Sequence, residues 1–371
     1  MIEKAPTNPS KLSLAWVFIR AFAALFKRMV VSPFKGKNGA PTYFKDVMYA
    51  MLRAQLGNMT IPEQKYLYPP TTATYLQVAK EKGFQPDSVV LPDGIQAHWL
   101  GPRSKEKVIV YFHGGGYVLP AVKALLEYLY AFQQEANSDG HSVSVLMLAY
   151  TLAPEGQFPT QLKQAVELMR YLFETEKRSP SNLLLAGDSA GGNLCLSLLS
   201  HILHPHPSVP ALSLPTSSPS SSPAKFPALL LISPWVSFTY TTPSFTTNAE
   251  RDAFGPASLS RWSAAFVGNN IRDEYVEPVR ASADWWAGAS DVVEDVLIWA
   301  GEAEVLVDGI MAFAAEFKQG FDGGDEKRRG KCEIVVTKDA AHEEMVLEAI
   351  FGYREKGEAA RVVEGWVRAR L

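Results

Sequence analysis

Ser189 stands in Gly187-Asp188-Ser189-Ala190-Gly191-Gly192, directly after the apolar run Asn182-Leu183-Leu184-Leu185-Ala186. A run of that length and composition reads as a buried strand. A serine between glycines, where strand turns into helix, sits on a tight and strained turn that lifts its hydroxyl out of the sheet. The chemistry this serves is nucleophilic attack. Upstream, Val108-Ile109-Val110-Tyr111-Phe112 runs straight into His113-Gly114-Gly115-Gly116. Three glycines after a strand expose backbone N–H groups with no side chains in the way, and fixed donors in a dry site stabilise an oxyanion as it forms on a tetrahedral intermediate.

Together these residues resemble the hormone-sensitive-lipase-like branch of the α/β-hydrolases, whose members carry an HGGG loop and a GDSAGG elbow on one sheet. Tyr150-Thr151-Leu152-Ala153-Pro154-Glu155, with Phe158-Pro159, is similar to the family's Y-R-L-A-P-E segment, with Thr151 where arginine is usual. Ser233-Pro234-Trp235 matches its S-P-W. The resemblance covers roughly residues 85 to 370. It implies an α/β fold with a mainly parallel central sheet, helices on both faces and a helical cap.

In this fold the acid and the base follow the nucleophile in the order Ser, Asp or Glu, His. Of the seven histidines, only His201, His204, His206 and His342 follow Ser189. His201 falls on the elbow's own helix, and His204 and His206 border a proline-rich stretch. His342 follows the expected last strand, Cys332 to Thr337, where this fold presents its base. For the acid, Gly301-Glu302-Ala303-Glu304-Val305-Leu306-Val307-Asp308 resembles the family's G-x-x-D-x-L-x-D, which puts Glu304 in the carboxylate position; Asp308 is the alternative acid and Glu302 a third candidate.

The expected mechanism is attack by Ser189, proton transfer to His342, and orientation of the imidazole by Glu304. The oxyanion hole draws on Gly114, Gly115, Gly116 and Ala190; in the resembling family the second and third glycines donate and Gly114 shapes the loop. His113 positions that loop and Asp188 steadies the elbow. The leading function is a serine carboxylic-ester hydrolase for lipophilic small-molecule esters, and fungal relatives of similar look point to deacetylation of a natural product. The alternatives are amide or thioester hydrolysis or acyl transfer by the same triad, and a non-catalytic ligand receptor of the kind this fold supplies in plants. No cofactor is expected. His201, His204 and His206 lack a cysteine or acidic cluster, so no metal is expected either.

Positioning these groups requires strands near residues 88–91, 96–100, 108–112, 143–149, 182–187, 228–233, 295–300 and 332–337, alternating with helical patterns such as Leu162, Ala165, Val166, Met169 and Leu172. Such alternation implies a parallel sheet with helices on both faces and a site at the carboxyl ends of the strands. With 371 residues, 47% of them hydrophobic, and a net charge of −3, the chain gives no reason to expect nucleic acid as a partner. Its two cysteines build no disulfide framework, which fits a reducing, cytoplasmic compartment.

The expected organisation is amino-terminal cap helices over 1–84 and a catalytic domain over 85–371. Within the latter, 205–227 reads as a Ser/Pro-rich surface loop, and the aromatic-rich 236–285 as a second cap segment. Residues 11–34 are strongly apolar yet interrupted by Arg20, Lys27 and Arg28. On a helix, Ser13, Arg20 and Lys27 share one face while Trp16, Ile19, Ala23, Phe26 and Val30 line another. The stretch is too broken to span a bilayer, so it reads as a cap helix or as an interfacial helix on a membrane surface. Oligomeric state is not legible.

Overall fold

A computed structural model describes residues 9–216, 224–323 and 330–371. Eight strands form one sheet: β1 (Ser88–Val90), β2 (Gln96–Leu100), β3 (Lys107–Phe112), β4 (Val143–Ala149), β5 (Leu183–Asp188), β6 (Phe226–Ile232), β7 (Val293–Gly301) and β8 (Cys332–Thr337). Their order is β1-β2-β4-β3-β5-β6-β7-β8. Only β2 runs against its neighbours; the pairs from β4 to β8 are all parallel. The central strands are continuous apolar runs because both faces are covered. On β3, Val108, Val110 and Phe112 join one core layer while Ile109 and Tyr111 join the other.

Four helices precede the sheet: α1 (Lys11–Val31), α2 (Tyr43–Asn58), α3 (Ile61–Leu67) and α4 (Thr71–Lys82). The crossovers carry α5 (Lys123–Ser138), α6 (Thr160–Arg170) and α7 (Ala190–Leu203). After β6 come α8 (Ser244–Thr247), α9 (Pro256–Val267) and α10 (Ala289–Val292); α11 (Val307–Asp322), α12 (Glu344–Ile350) and α13 (Glu358–Arg368) complete the chain.

Two expectations change. Of the stretch 205–227, residues 217–223 lie outside the described residues, but Val209 and Leu212 are buried in the main core and Phe226 opens β6. Isolated apolar side chains between the prolines are enough to draw the segment inward. On α1 the basic face turns toward the protein. Arg28 is buried and makes a two-pronged bond to Asp46 on α2 at 2.6 and 2.5 Å, and Arg20 donates to Asn58 Oδ1 at 2.7 Å. The apolar face looks outward instead, with Trp16, Phe26 and Phe34 at 61%, 63% and 86% exposure. No described helix is long and apolar enough to cross a membrane.

Candidate active site

β3 and β5 are hydrogen-bonded neighbours, with Phe112 opposite Gly187, so the glycine loop and the elbow leave the sheet side by side. The close approach dictates glycine at two positions. A Cβ on Gly191 would lie 1.8 Å from the Phe112 carbonyl oxygen, and one on Gly187 would lie 2.4 Å from the Gly191 backbone. Ser189 itself has φ 47 and ψ −113. A non-glycine residue there stores strain of about 1–3 kcal/mol. It is held by its N–H donating to Ile232 O at 2.9 Å and its carbonyl accepting from Asn193 N and Trp235 N at 3.0 and 2.9 Å. Ala190 follows as the first residue of α7, whose opening N–H groups have no intrahelical partner.

The glycine loop is fixed from below. His113 stacks on Tyr150 with centroids 4.3 Å apart, and the Tyr150 hydroxyl donates to His113 O at 2.6 Å. Burial pushes the His113 pKa down to about 4, so the ring is neutral and serves the loop's architecture. Gly114 N donates to Asp188 Oδ2 at 2.9 Å, which ties the loop to the elbow. Gly116 packs under Trp262 of α9, in a space that no Cβ could share.

β7 and β8, also neighbours, deliver the other pair. His342 Nδ1 donates to Glu304 Oε2 at 2.7 Å, with Glu304 wholly buried and His342 2% exposed. The remaining Glu304 oxygen accepts from Gly301 N at 2.7 Å and Ser233 Oγ at 3.1 Å. Burial opposes a charged imidazole, but the Glu304 bond and the charges of Glu343, Glu304 and Asp252 outweigh it and push His342 up to about 9. Asp308 is elsewhere: its Oδ2 accepts from Ser244 N at 2.7 Å, where it holds α8. Glu302 pairs with Arg251 and accepts from Asp339 N. His201 and His204 donate from Nε2 to the carbonyls of Pro210 and Trp285.

Ser189, His342 and the three loop glycines line one cavity of about 490 Å³, whose walls include Leu52 and Leu56 of α2, Phe254, Leu259 and Trp262, and Val346 of α12. α2 does more than line it. Tyr49 Oη donates to Glu344 Oε2 and Lys45 Nζ to Glu348 Oε1, both at 2.8 Å, and Lys45 also pairs with Glu344. The helix after His342 is thus clamped from the amino-terminal side. Two further residues escape the motifs. Ser233, whose N–H donates to Trp299 O, has φ 45 and bonds both Glu304 and Glu343 N. Asp252 accepts from His342 N and Val305 N. The S-P-W match pointed at the first; nothing in the sequence pointed at the second.

A profile of the family described as alpha/beta hydrolase fold matches residues 109–345. The chain belongs to this family. It lies on the hormone-sensitive-lipase-like branch and is an esterase- and lipase-like hydrolase. It is 28% identical over 233 residues to an acetyl-hydrolase from Streptomyces hygroscopicus, covering 62% of this chain and 68% of that one. It is 36% identical over 104 residues to the hormone-sensitive lipase of Homo sapiens, covering 26% of this chain and only 9% of the lipase. Among solved structures, an esterase of the bacterial hormone-sensitive lipase family aligns over 98% of this chain and 99% of its own with a TM-score of 0.59 at 23% identity. Carboxyl esterase 2 from the mycorrhizal fungus Tuber melanosporum aligns over 77% and 85% with a TM-score of 0.59 at 20% identity. At those identities the two structures speak for the fold.

Proposed function

We propose that the protein is a serine carboxylic-ester hydrolase in which Ser189 is the nucleophile, His342 the base and Glu304 the carboxylate that orients it. One observation carries the reading: a strained serine, a buried imidazole–carboxylate pair at 2.7 Å and three loop glycines all open on one cavity. Ser189 Oγ attacks the ester carbonyl as Nε2 of His342 takes its proton. Glu304 fixes the tautomer that leaves Nε2 free and stabilises the imidazolium. The N–H groups of Gly115, Gly116 and Ala190 receive the developing charge, His342 returns the proton to the leaving alcohol, and water then releases the acid by the same steps.

The apolar walls support a lipophilic substrate. The bacterial relative's name supports a short acyl group, so deacetylation of a lipophilic natural product is the specific form of the proposal. Amide and thioester cleavage and acyl transfer use the same groups. Purified protein offered p-nitrophenyl esters of rising chain length, beside Ser189→Ala, tests the reading: activity that survives the substitution refutes it.

Residues 1–84 and 236–285 are proposed to form the cap, since α2 and the segment carrying Phe254, Leu259 and Trp262 supply the cavity's walls. The outward apolar face of α1 favours a second role, lying on a membrane surface with Lys11 and Lys27 toward anionic headgroups. Co-sedimentation with anionic vesicles, lost on Trp16→Ser with Phe26→Ser, is the expected result; equal sedimentation of both proteins, or none of either, leaves α1 as cap alone.

A further inference from the structure

Two buried carboxyls meet on the cavity floor, and neither belongs to the Ser189, His342 and Glu304 set. Asp188 ends β5 and Glu343 follows His342. They approach across Gly114, where a Cβ would stand 2.3 Å from Asp188 Oδ2 and 2.5 Å from Glu343 Oε1. The donors around them are unequally shared. Asp188 accepts from Gly114 N at 2.9 Å, from the Tyr111 hydroxyl and from its own backbone N–H. Glu343 Oε1 accepts from no N–H or O–H among the described residues, and lies 3.6 Å from His342 Nε2.

We propose that Asp188 and Glu343 hold one proton between them, carried on Glu343, and that neutral Glu343 is a positioning residue that leaves His342 Nε2 free to act as the base. The inference rests on the roles of Ser189 and His342 given above. Two carboxylates in contact in a dry site cannot both ionise. Burial pushes both groups above their ordinary range, with each raising or bonding the other. The donors gathered on Asp188 favour the anion there, so the proton goes to Glu343. The other groups acting on the pair are Tyr111 from β3, Tyr150, Cys195 of α7, and His342 with its neighbours Glu304 and Asp252. Among these only His342 can turn positive. Were Glu343 ionised, an imidazolium would be trapped between Glu304 at Nδ1 and Glu343 at Nε2 and could accept nothing from Ser189. The shared proton stays on the pair throughout turnover.

The pH dependence of kcat/KM on a p-nitrophenyl ester tests this in four proteins: the parent, Asp188→Asn, Glu343→Gln and the double variant. Removing the charge on Asp188 lets Glu343 ionise, so the acid limb moves up by about one to three pH units; the loss at neutral pH is at least about tenfold and is recovered at higher pH. Adding Glu343→Gln returns the limb to its original position. A uniform loss at every pH in Asp188→Asn, or no return in the double variant, overturns the proposal. Should Asp188→Asn fail to fold, infrared spectroscopy decides: the carbonyl stretch of a protonated carboxylic acid is present at neutral pH in the parent and gone in Glu343→Gln, and its absence from the parent overturns the proposal. Ser189→Ala separates the layers, because an active Ser189→Ala sinks the triad reading, whereas an inactive one with an unshifted limb in Asp188→Asn sinks only the carboxyl pair.

Discussion

Asp252 holds His342 by its backbone: Oδ1 accepts from the His342 N–H at 3.3 Å, while Oδ2 accepts from the Val305 N–H at 2.7 Å. One carboxylate thereby spans the loop that carries the acid and the loop that carries the base. It comes from between α8 and α9, outside the strands that deliver either.

Replacing Asp252 tests that span. Burial, partly offset by the charge of His342, pushes its pKa up to about 6. Between the unfolded value near 4 and about 6, the folded protein keeps a proton that the unfolded chain has released. Stability therefore falls across this window as pH rises, by about 3 kcal/mol. Asp252→Asn should flatten that slope in urea titrations from pH 4 to 6 and lower kcat more than it raises KM. An unchanged slope would show that Asp252 does not titrate there.

The two acids are separable by kinetics. Glu304→Gln keeps the shape but loses the group that selects the imidazole tautomer, so kcat should drop by about 10³ to 10⁴. Asp308→Asn touches only the cap of Ser244 N and should stay within about threefold. The reverse ranking in steady-state assays would return the role to Asp308.

Arg28 and Asp46 pin α1 to α2 in a buried pair, and the guanidinium also reaches Glu250 O at 2.9 Å. Arg28→Met leaves Asp46 buried without its cation, at a cost of about 3–5 kcal/mol, read as a lower Tm and faster amide exchange in α1. Arg28 and neighbouring donors, working against burial, hold the Asp46 carboxyl below its usual range. Its contribution is present above the ordinary carboxylate pKa and is lost as pH falls through the lowered one, so the parent and Arg28→Met should converge in stability in strong acid.

Gly116 has φ 61, and a Cβ there would lie 2.4 Å from the Trp262 ring, which is fixed by its Nε1 donating to Gln64 Oε1 at 2.9 Å. Gly116→Ala must displace the loop. The expected result is a kcat loss of about 10²–10³ with retained fold by circular dichroism, the scale of losing one oxyanion donor.

Much of the frame was legible because it is written in periodicity. All eight strands fall within about two residues of their expected positions, since uninterrupted Val, Leu and Ile runs between turn signals have few other uses. Glu304 and His342 could be named because both sit just past strands, and parallel neighbours β7 and β8 carry such positions to the same edge. Asp252 could not, because its segment has no repeating pattern and its partners are backbone groups. Nor could the orientation of α1. Its two faces were plain, but which one turns inward depends on Asp46 and Asn58, on another helix.

The pairing of Phe112 with Gly187 has a consequence for how such an enzyme diversifies. The separation between the attacking oxygen and the charge-accepting loop is set by adjacent strands, the least adjustable distance in the molecule. The walls come from α2, α9 and α12, which can be exchanged residue by residue without touching that distance. Selection, or a designer, can therefore change the guest while the reaction itself stays conserved by architecture.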